Sequence, residues 1–331
     1  MIKSVNWESR IGRRVRLRDL HILFTVIHHG GMAKAASSLG ISQPAVSEAI
    51  ASLEHALGAR LLDRSRRGTK PTIYADALLR RGRAAFDELR QAVNEIEGLS
   101  DPTTGEVRIA CAESLAASIL PPIIQQFRRQ FGKVALRVDQ VGTPTIIPNL
   151  GLPELRERRV DVVLARLATP IMTKELQSED AQDDVKVEIL FDDPMVLAVG
   201  SQHPLAGRRK VDLSELVDEP WILPPPESLN YQVVAEAFRL RNLAMPKVIL
   251  ASYSIHLRHS LLPADRFVTA FATTNLRFNA EGLPLKELPI RLHSRPWPVA
   301  IISLKNRTPS AAVRQFIEHT RAFAKSLRLD K

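Results

Sequence analysis

The chain has 331 residues, 45% hydrophobic and 25% charged, which suits a globular protein with two or more buried cores rather than a disordered or membrane one. No run approaches the roughly 18 apolar residues of a spanning helix, the basic N-terminus lacks the apolar stretch of a secretory signal, and the single cysteine, Cys111, excludes an internal disulfide framework. The expectation is a reducing, cytoplasmic setting without a membrane partner. The net charge of +10 is unevenly spread: residues 1–83 carry 15 Lys/Arg against 6 Asp/Glu, and the remainder 31 against 30. A local basic surface favours a polyanion such as a phosphate backbone, although on charge alone a solvated surface run is equally open.

Residues 1–15 lack periodicity and are expected to form a flexible basic extension. Leu17, Leu20, Leu23, Phe24 and Ile27 then recur at the spacing of one apolar helical face, which Gly30-Gly31 ends. A short second helix follows, with Ala35, Ala36 and Leu39 inward and Gly40 just past its end, where a left-handed cap costs glycine little. Ser42 is a good N-cap for a third helix, and Pro44 is tolerated in its first turn. Val46, Ile50, Leu53 and Leu57 form its buried stripe, and Gly58 ends it. The opposite face carries Gln43, Ser47, Glu48 and Ala51, with Lys34 on the preceding helix.

Two short helices joined by a Gly-containing turn make a helix-turn-helix, whose second helix enters a major groove with its first turns. Gln pairs with adenine and Ser contacts bases or phosphate, so Ser42, Gln43, Pro44, Ser47 and Glu48 are candidate contacts. Spacing alone leaves a plain three-helix bundle open. After Gly58, residues 60–72 read as two short strands around Arg66-Arg67-Gly68, a wing whose Arg64, Arg66, Arg67 and Lys70 suit phosphates. From Pro71 a long helix is expected to about residue 99. Its Ala75, Leu79, Gly82, Phe86, Leu89, Val93 and Ile96 alternate steps of 4 and 3, a heptad seam open to a second copy or to the chain's own body.

Residues 100–105 are turn-rich and mark a domain boundary. Beyond them strands at 106–112, 134–141 and 160–165 alternate with helices, and a similar alternation recurs over 185–252, which implies parallel sheets with crossover helices. Polar groups at strand C-termini and helix N-termini are the natural ligand positions. These are Ser114, Thr143, Thr145, Arg166 and Ser254, with Pro225, Glu227 and Ser228 as a facing wall, although each hydroxyl could equally be a simple cap or turn. No phosphate-binding loop, dinucleotide fingerprint or zinc-like spacing occurs; His28-His29 and His256-Leu257-Arg258-His259 lack further ligands. Catalytic residues, cofactors and metals are therefore expected to be absent. A solute-binding protein is the alternative, but it leaves the basic surplus unexplained.

The run 17–64 resembles the DNA-binding domain of LysR-type transcriptional regulators, through Ala35-Ala36-x-x-Leu39, Ser42-Gln43-Pro44-Ala45-Val46-Ser47, Ile50-x-x-Leu53-Glu54 and Leu57-Gly58-x-x-Leu61, all in register. The chain departs from that pattern at Gly31-Met32, where Ser and an aromatic are usual, at Leu62 for Phe, and at Glu48-Ala49 for Arg or Lys followed by Gln. A carboxylate at position 48 repels phosphate but can accept a hydrogen bond from cytosine N4, so it is expected to tune preference and cost affinity. The resemblance implies an α/β chain overall: an all-α winged helix-turn-helix at 16–72, a linker and dimerisation helix at 73–100, and a two-subdomain α/β effector-binding domain of periplasmic-binding-protein type. Subdomain I is placed at 104–183 plus 290–331 and subdomain II at 184–289. It further implies double-stranded operator DNA, a small-molecule effector, a homodimer or homotetramer, and RNA polymerase as an indirect partner. Ala264-Asp265-Arg266-Phe267-Val268-Thr269 and Leu223-Pro224-Pro225-Pro226 resemble a branch linked to sugar or sugar-acid regulation.

Overall fold

The computed structural model describes residues 14–65, 68–101, 104–141, 152–167, 184–279, 284–292 and 297–329. Arg66, Arg67, Thr143 and Thr145, the side chain of Arg64, and most of the expected N-terminal extension lie outside the described residues. The chain divides into two compact units, Met1–Arg90 and Gln91–Lys331.

The first unit begins with three helices, α1 (Leu17–His29), α2 (Met32–Leu39) and α3 (Gln43–Leu57). Gly30, Gly40 and Gly58 end them in the left-handed conformation that side chains rarely adopt. The core gathers Leu20, Leu23, Val26, Ala35, Ala36, Val46, Ile50 and Leu53. Three positions correct the expected face of α1: Leu17 is exposed, while Ile22 and Val26 are buried, because α1 packs against both following helices. Strands β1 (Leu62–Ser65) and β2 (Gly68–Pro71) pair antiparallel as the wing. Pro71 thus closes β2 against Leu62 instead of opening the long helix. That helix, α4 (Ile73–Ser100), starts after Thr72, whose hydroxyl accepts from the Ala75 N–H at 3.3 Å.

The second unit holds two five-stranded sheets. The first contains β3 (Glu106–Cys111), β4 (Ala135–Gln140), β5 (Val162–Arg166), β6 (Val185–Asp193) and β12 (Trp297–Leu304) in the order β4-β3-β5-β12-β6. The second contains β7 (Met195–Gly200), β8 (Trp221–Leu223), β9 (Val248–Ala251), β10 (Val268–Ala272) and β11 (Leu285–Glu287) in the order β11-β7-β10-β8-β9. Both are mixed, not parallel throughout: β12 runs antiparallel to β5 and β6, and β7 antiparallel to β10 and β11. The first sheet also reaches Asp193, beyond the boundary expected at 183, because β6 pairs along β12 before the chain turns at Pro194 into β7.

Around the sheets lie α5 (Glu113–Ala116), α6 (Leu120–Gln130), α7 (Pro153–Arg156), α8 (Leu229–Leu240), α9 (Ile255–Leu261), α10 (Thr273–Asn279) and α11 (Ala311–Leu329). Alternation along β3 sends Val107, Ile109 and Cys111 to the face covered by α6 and α11, and Ala110 to the other. Burial pushes the Cys111 thiol up to about 12, which keeps it protonated and unreactive. A charged cluster is buried within this subdomain. Asp161 accepts from Arg108 N, Nε and Nη2 at 2.7, 3.2 and 2.7 Å and pairs with Arg307 at 2.6 Å.

Candidate nucleic-acid interface and ligand cleft

The N-terminal end of α3 is capped and open to solvent. Ser42 caps it, its hydroxyl accepting from the Ala45 N–H at 3.3 Å, and Pro44 stands in the first turn, where no intrahelical N–H bond is lost. Burial of Val46, Ala49, Ile50 and Leu53 fixes the helix rotation. Gln43, Pro44, Glu48, Ala51, Ser52 and His55 are thereby left exposed. Ser47 is half-buried, and its hydroxyl donates to the Met32 sulfur at 3.3 Å, which ties α3 to the start of α2. At Gly31, the N-cap of α2, no side-chain cap bond forms. Lys34 on α2 and Lys70 on β2 are exposed.

The wing is fastened by groups that sequence reading passed over. Glu54 Oε1 accepts from the Leu61 and Leu62 N–H groups at 2.7 and 3.3 Å, which sets the entry of β1. The Thr69 N–H donates to Gly30 O at 3.1 Å, and a Cβ on Gly68 would stand 3.3 Å from that same oxygen, at a φ of +116°. Glycine is required there by close approach and conformation together. The only sequence signal for Glu54 is its place in the Leu53-Glu54 pair.

In the second unit, the expected effector residues fall into two groups. Ser114, Arg166 and Ser254 converge. Arg166, at the end of β5, donates to Ser114 Oγ at 2.7 Å, to Asp193 Oδ2 at 2.6 and 3.0 Å, and to Thr274 Oγ1 at 2.9 Å. Thr274 in turn donates its hydroxyl and N–H to Asp193 at 2.7 and 3.1 Å. Asn275 donates to Ser114 O at 2.8 Å, and Glu113 accepts from Ser254 Oγ and the Ile255 N–H at 3.3 and 3.0 Å. Side chains of the first sheet's subdomain therefore meet those of the second by direct hydrogen bonds, at the place where the ligand cleft between the two subdomains is expected. Ser114 stands inside the first turn of α5, whose N-cap is Ala112, so its hydroxyl is a bonding group of the cleft and not a helix cap.

Ser254 also caps α9 through the Leu257 N–H at 3.2 Å; Ser228 is buried and caps α8 through the Tyr231 N–H, while Pro225 is half-buried and Glu227 exposed. Tyr253 stands beside Ser254, its phenol pushed up by burial and by the Glu227 charge. Beneath α9, His259 is buried against Phe271, and burial together with the Arg258 charge lowers it to about 4; it is a neutral core histidine. A separate groove of about 300 Å³ lies between α11, β6 and β12. It shares no residue with the cleft, and its Arg321 is closed by a bidentate pair with Glu188 at 2.6 and 2.7 Å.

Three short helices with a two-stranded wing in one unit and two α/β subdomains in the other are the arrangement of a DNA-binding regulator with a ligand-binding domain. Residues 17–76 match the family described as bacterial regulatory helix-turn-helix protein, lysR family, and residues 100–325 match the LysR substrate binding domain. The chain belongs to the LysR family: it is a DNA-binding transcription regulator with an effector-binding domain, not an enzyme. It is 25% identical over 313 residues to the uncharacterized HTH-type transcriptional regulator YdcI of Escherichia coli, covering 95% of this chain and 97% of that one. With the regulator GbpR of Azospirillum brasilense it shares 26% identity over 318 residues, 96% of this chain and 88% of the other. Among solved structures, full-length CbnR complexed with its target DNA matches with a TM-score of 0.63 at 18% identity, over 93% of this chain and 100% of that one. Full-length OxyR from Pseudomonas aeruginosa gives 0.60 at 17% identity, over 94% and 95%, and both likenesses concern the fold.

Proposed function

We propose that this regulator reads operator DNA with the first turns of α3, Gln43 and Glu48 facing bases and Ser42, Pro44 and Ser47 fitting the groove edge. Lys34, Lys70 and the wing residues Arg64, Arg66 and Arg67 bind phosphates. The observation that carries this reading is the capped N-terminus of α3, with Gln43 and Glu48 exposed on it and Lys34 and Lys70 exposed on α2 and β2. Phosphate contacts set affinity and salt dependence, whereas base contacts set preference. The regulator acts in the cytoplasm as a homodimer or homotetramer paired through α4, and RNA polymerase is an indirect partner. Its cleft, around Ser114, Arg166 and Ser254, with Pro225, Glu227 and Ser228 as the facing wall and Thr143 and Thr145 on the 142–151 segment, binds a small polar effector, a sugar or an organic acid.

Fluorescence anisotropy on a DNA site selected in vitro tests the division of labour. Gln43→Ala is expected to cost about 1–3 kcal/mol on the selected site and little on random DNA. Lys70→Ala should weaken both alike and lower the salt slope by about 1. Equal losses on both DNAs for Gln43→Ala would remove α3 from base reading.

A further inference from the structure

The cleft already supplies its own counter-charges. Arg166 is the cation that an acidic effector would seek, yet its Nε and both Nη atoms are engaged by Asp193, Ser114 and Thr274. Its carboxylate partner is almost wholly enclosed: the Arg166 and Asp193 side chains are 10% and 1% exposed. Opposite, the N–H of Ile255 and the hydroxyl of Ser254 are occupied by the chain's own carboxylate, Glu113. The second cation near the cleft, Arg258, is buried at 1% exposure. It donates to Ala270 O at 3.1 Å and lies 4.8 Å over the Phe271 ring, and the carboxylate whose charge reaches it is again Glu113. Among the described residues that bond across the cleft, two arginines are thus set against two acids, and Glu227, whose charge reaches Tyr253 beside Ser254, is negative and exposed.

An anion entering this cleft must either part Arg166 from Asp193, stranding an enclosed carboxylate, or displace Glu113 and remain beside it. Both are costly where water is scarce. A neutral hydroxyl meets a smaller obstacle, because it can donate to Glu113 and accept from the second amide N–H of Asn275 while the Arg166–Asp193 pair stays closed. We infer that the effector is an uncharged, hydroxyl-bearing molecule, and that Glu113 and Asp193 are the residues that exclude carboxylates from the cleft. This rests on the reading of the cleft as the effector site, and it selects between the two ligand classes left open above.

The test is equilibrium dialysis of the full chain against matched pairs: glycerol and glycerate, xylose and xylonate, glucose and gluconate. The wild type is expected to retain a neutral member at least tenfold better than its acid. Glu113→Gln, which keeps shape and hydrogen bonding, should narrow that ratio to threefold or less by admitting the acid, and Asp193→Asn should act in the same direction. The wild-type comparison stands alone if either variant fails to fold. Preferential retention of an acid that is lost in Ser114→Ala/Arg166→Ala overturns the inference while leaving the cleft as the effector site. Retention of no pair member, or retention untouched by that double variant, overturns the effector site itself.

Discussion

Glu48 stands exposed on α3, on the same solvent-facing side as Ala51, Ser52 and His55, and it places a negative charge among groups that should face phosphates. Glu48→Gln is expected to raise overall DNA affinity and to relax preference at one base pair by about 1–3 kcal/mol. In vitro selection with both proteins checks this, and identical motifs with identical affinities would leave Glu48 without a role. Asp161 shows the opposite use of a carboxylate. Burial opposes its ionisation, but the hydrogen bonds from Arg108 and the charges of Arg307 and Arg108 outweigh that and hold it below its usual 3.8. A depressed carboxyl stabilises the fold above its unfolded value and loses that contribution as pH falls through the folded one, so the loss belongs below 3.8. Asp161→Asn removes the charge that Arg108 and Arg307 share in the interior and should cost about 3–5 kcal/mol in urea denaturation at neutral pH. It should also flatten the acid limb of the stability curve.

At the scale of elements, α4 divides its seam between two tasks. Ala75 and Leu79 are buried in the first unit's core, and a Cβ on Gly82 would stand 2.7 Å from Phe24 Cζ. Phe86 packs edge-on to Phe24 at 5.5 Å between ring centroids. The first half of the seam thus packs on the chain's own body. Leu89, Val93 and Ile96 are 47%, 54% and 65% exposed. If that half pairs two copies, Leu89→Glu/Val93→Glu should shift sedimentation from oligomer to monomer without lowering the first unit's stability. An unchanged sedimentation coefficient would place the subunit contact elsewhere. Helices α1 to α3 and the wing were readable because their partners lie close in sequence and their ends carry Gly30, Gly40, Ser42 and Gly58. The mixed sheets were not, since β12 pairs with β5 and β6 across more than a hundred residues, which no local period encodes. The cleft was half-readable for the same reason. Ser114 and Arg166 stand at strand ends, but Glu113, Asp193, Thr274 and Asn275 join them only through the fold, Glu113 meeting Ser254 at a separation of 141 residues.

For the whole molecule, the basic surplus on residues 1–83 and the near-neutral remainder follow the division into a polyanion-binding unit and a ligand-binding unit. The charge balance of the cleft and the charge excess of the reading unit answer to different partners. Recovery of bound duplexes from a random DNA library tests the central claim most directly. A two-fold related motif should emerge, bound at least about 10³-fold more tightly than random DNA at physiological salt, and Gln43→Ala should abolish or alter it. Salt-sensitive binding with no enriched motif, or a motif unchanged by Gln43→Ala, would contradict the assignment of α3 as the reading helix.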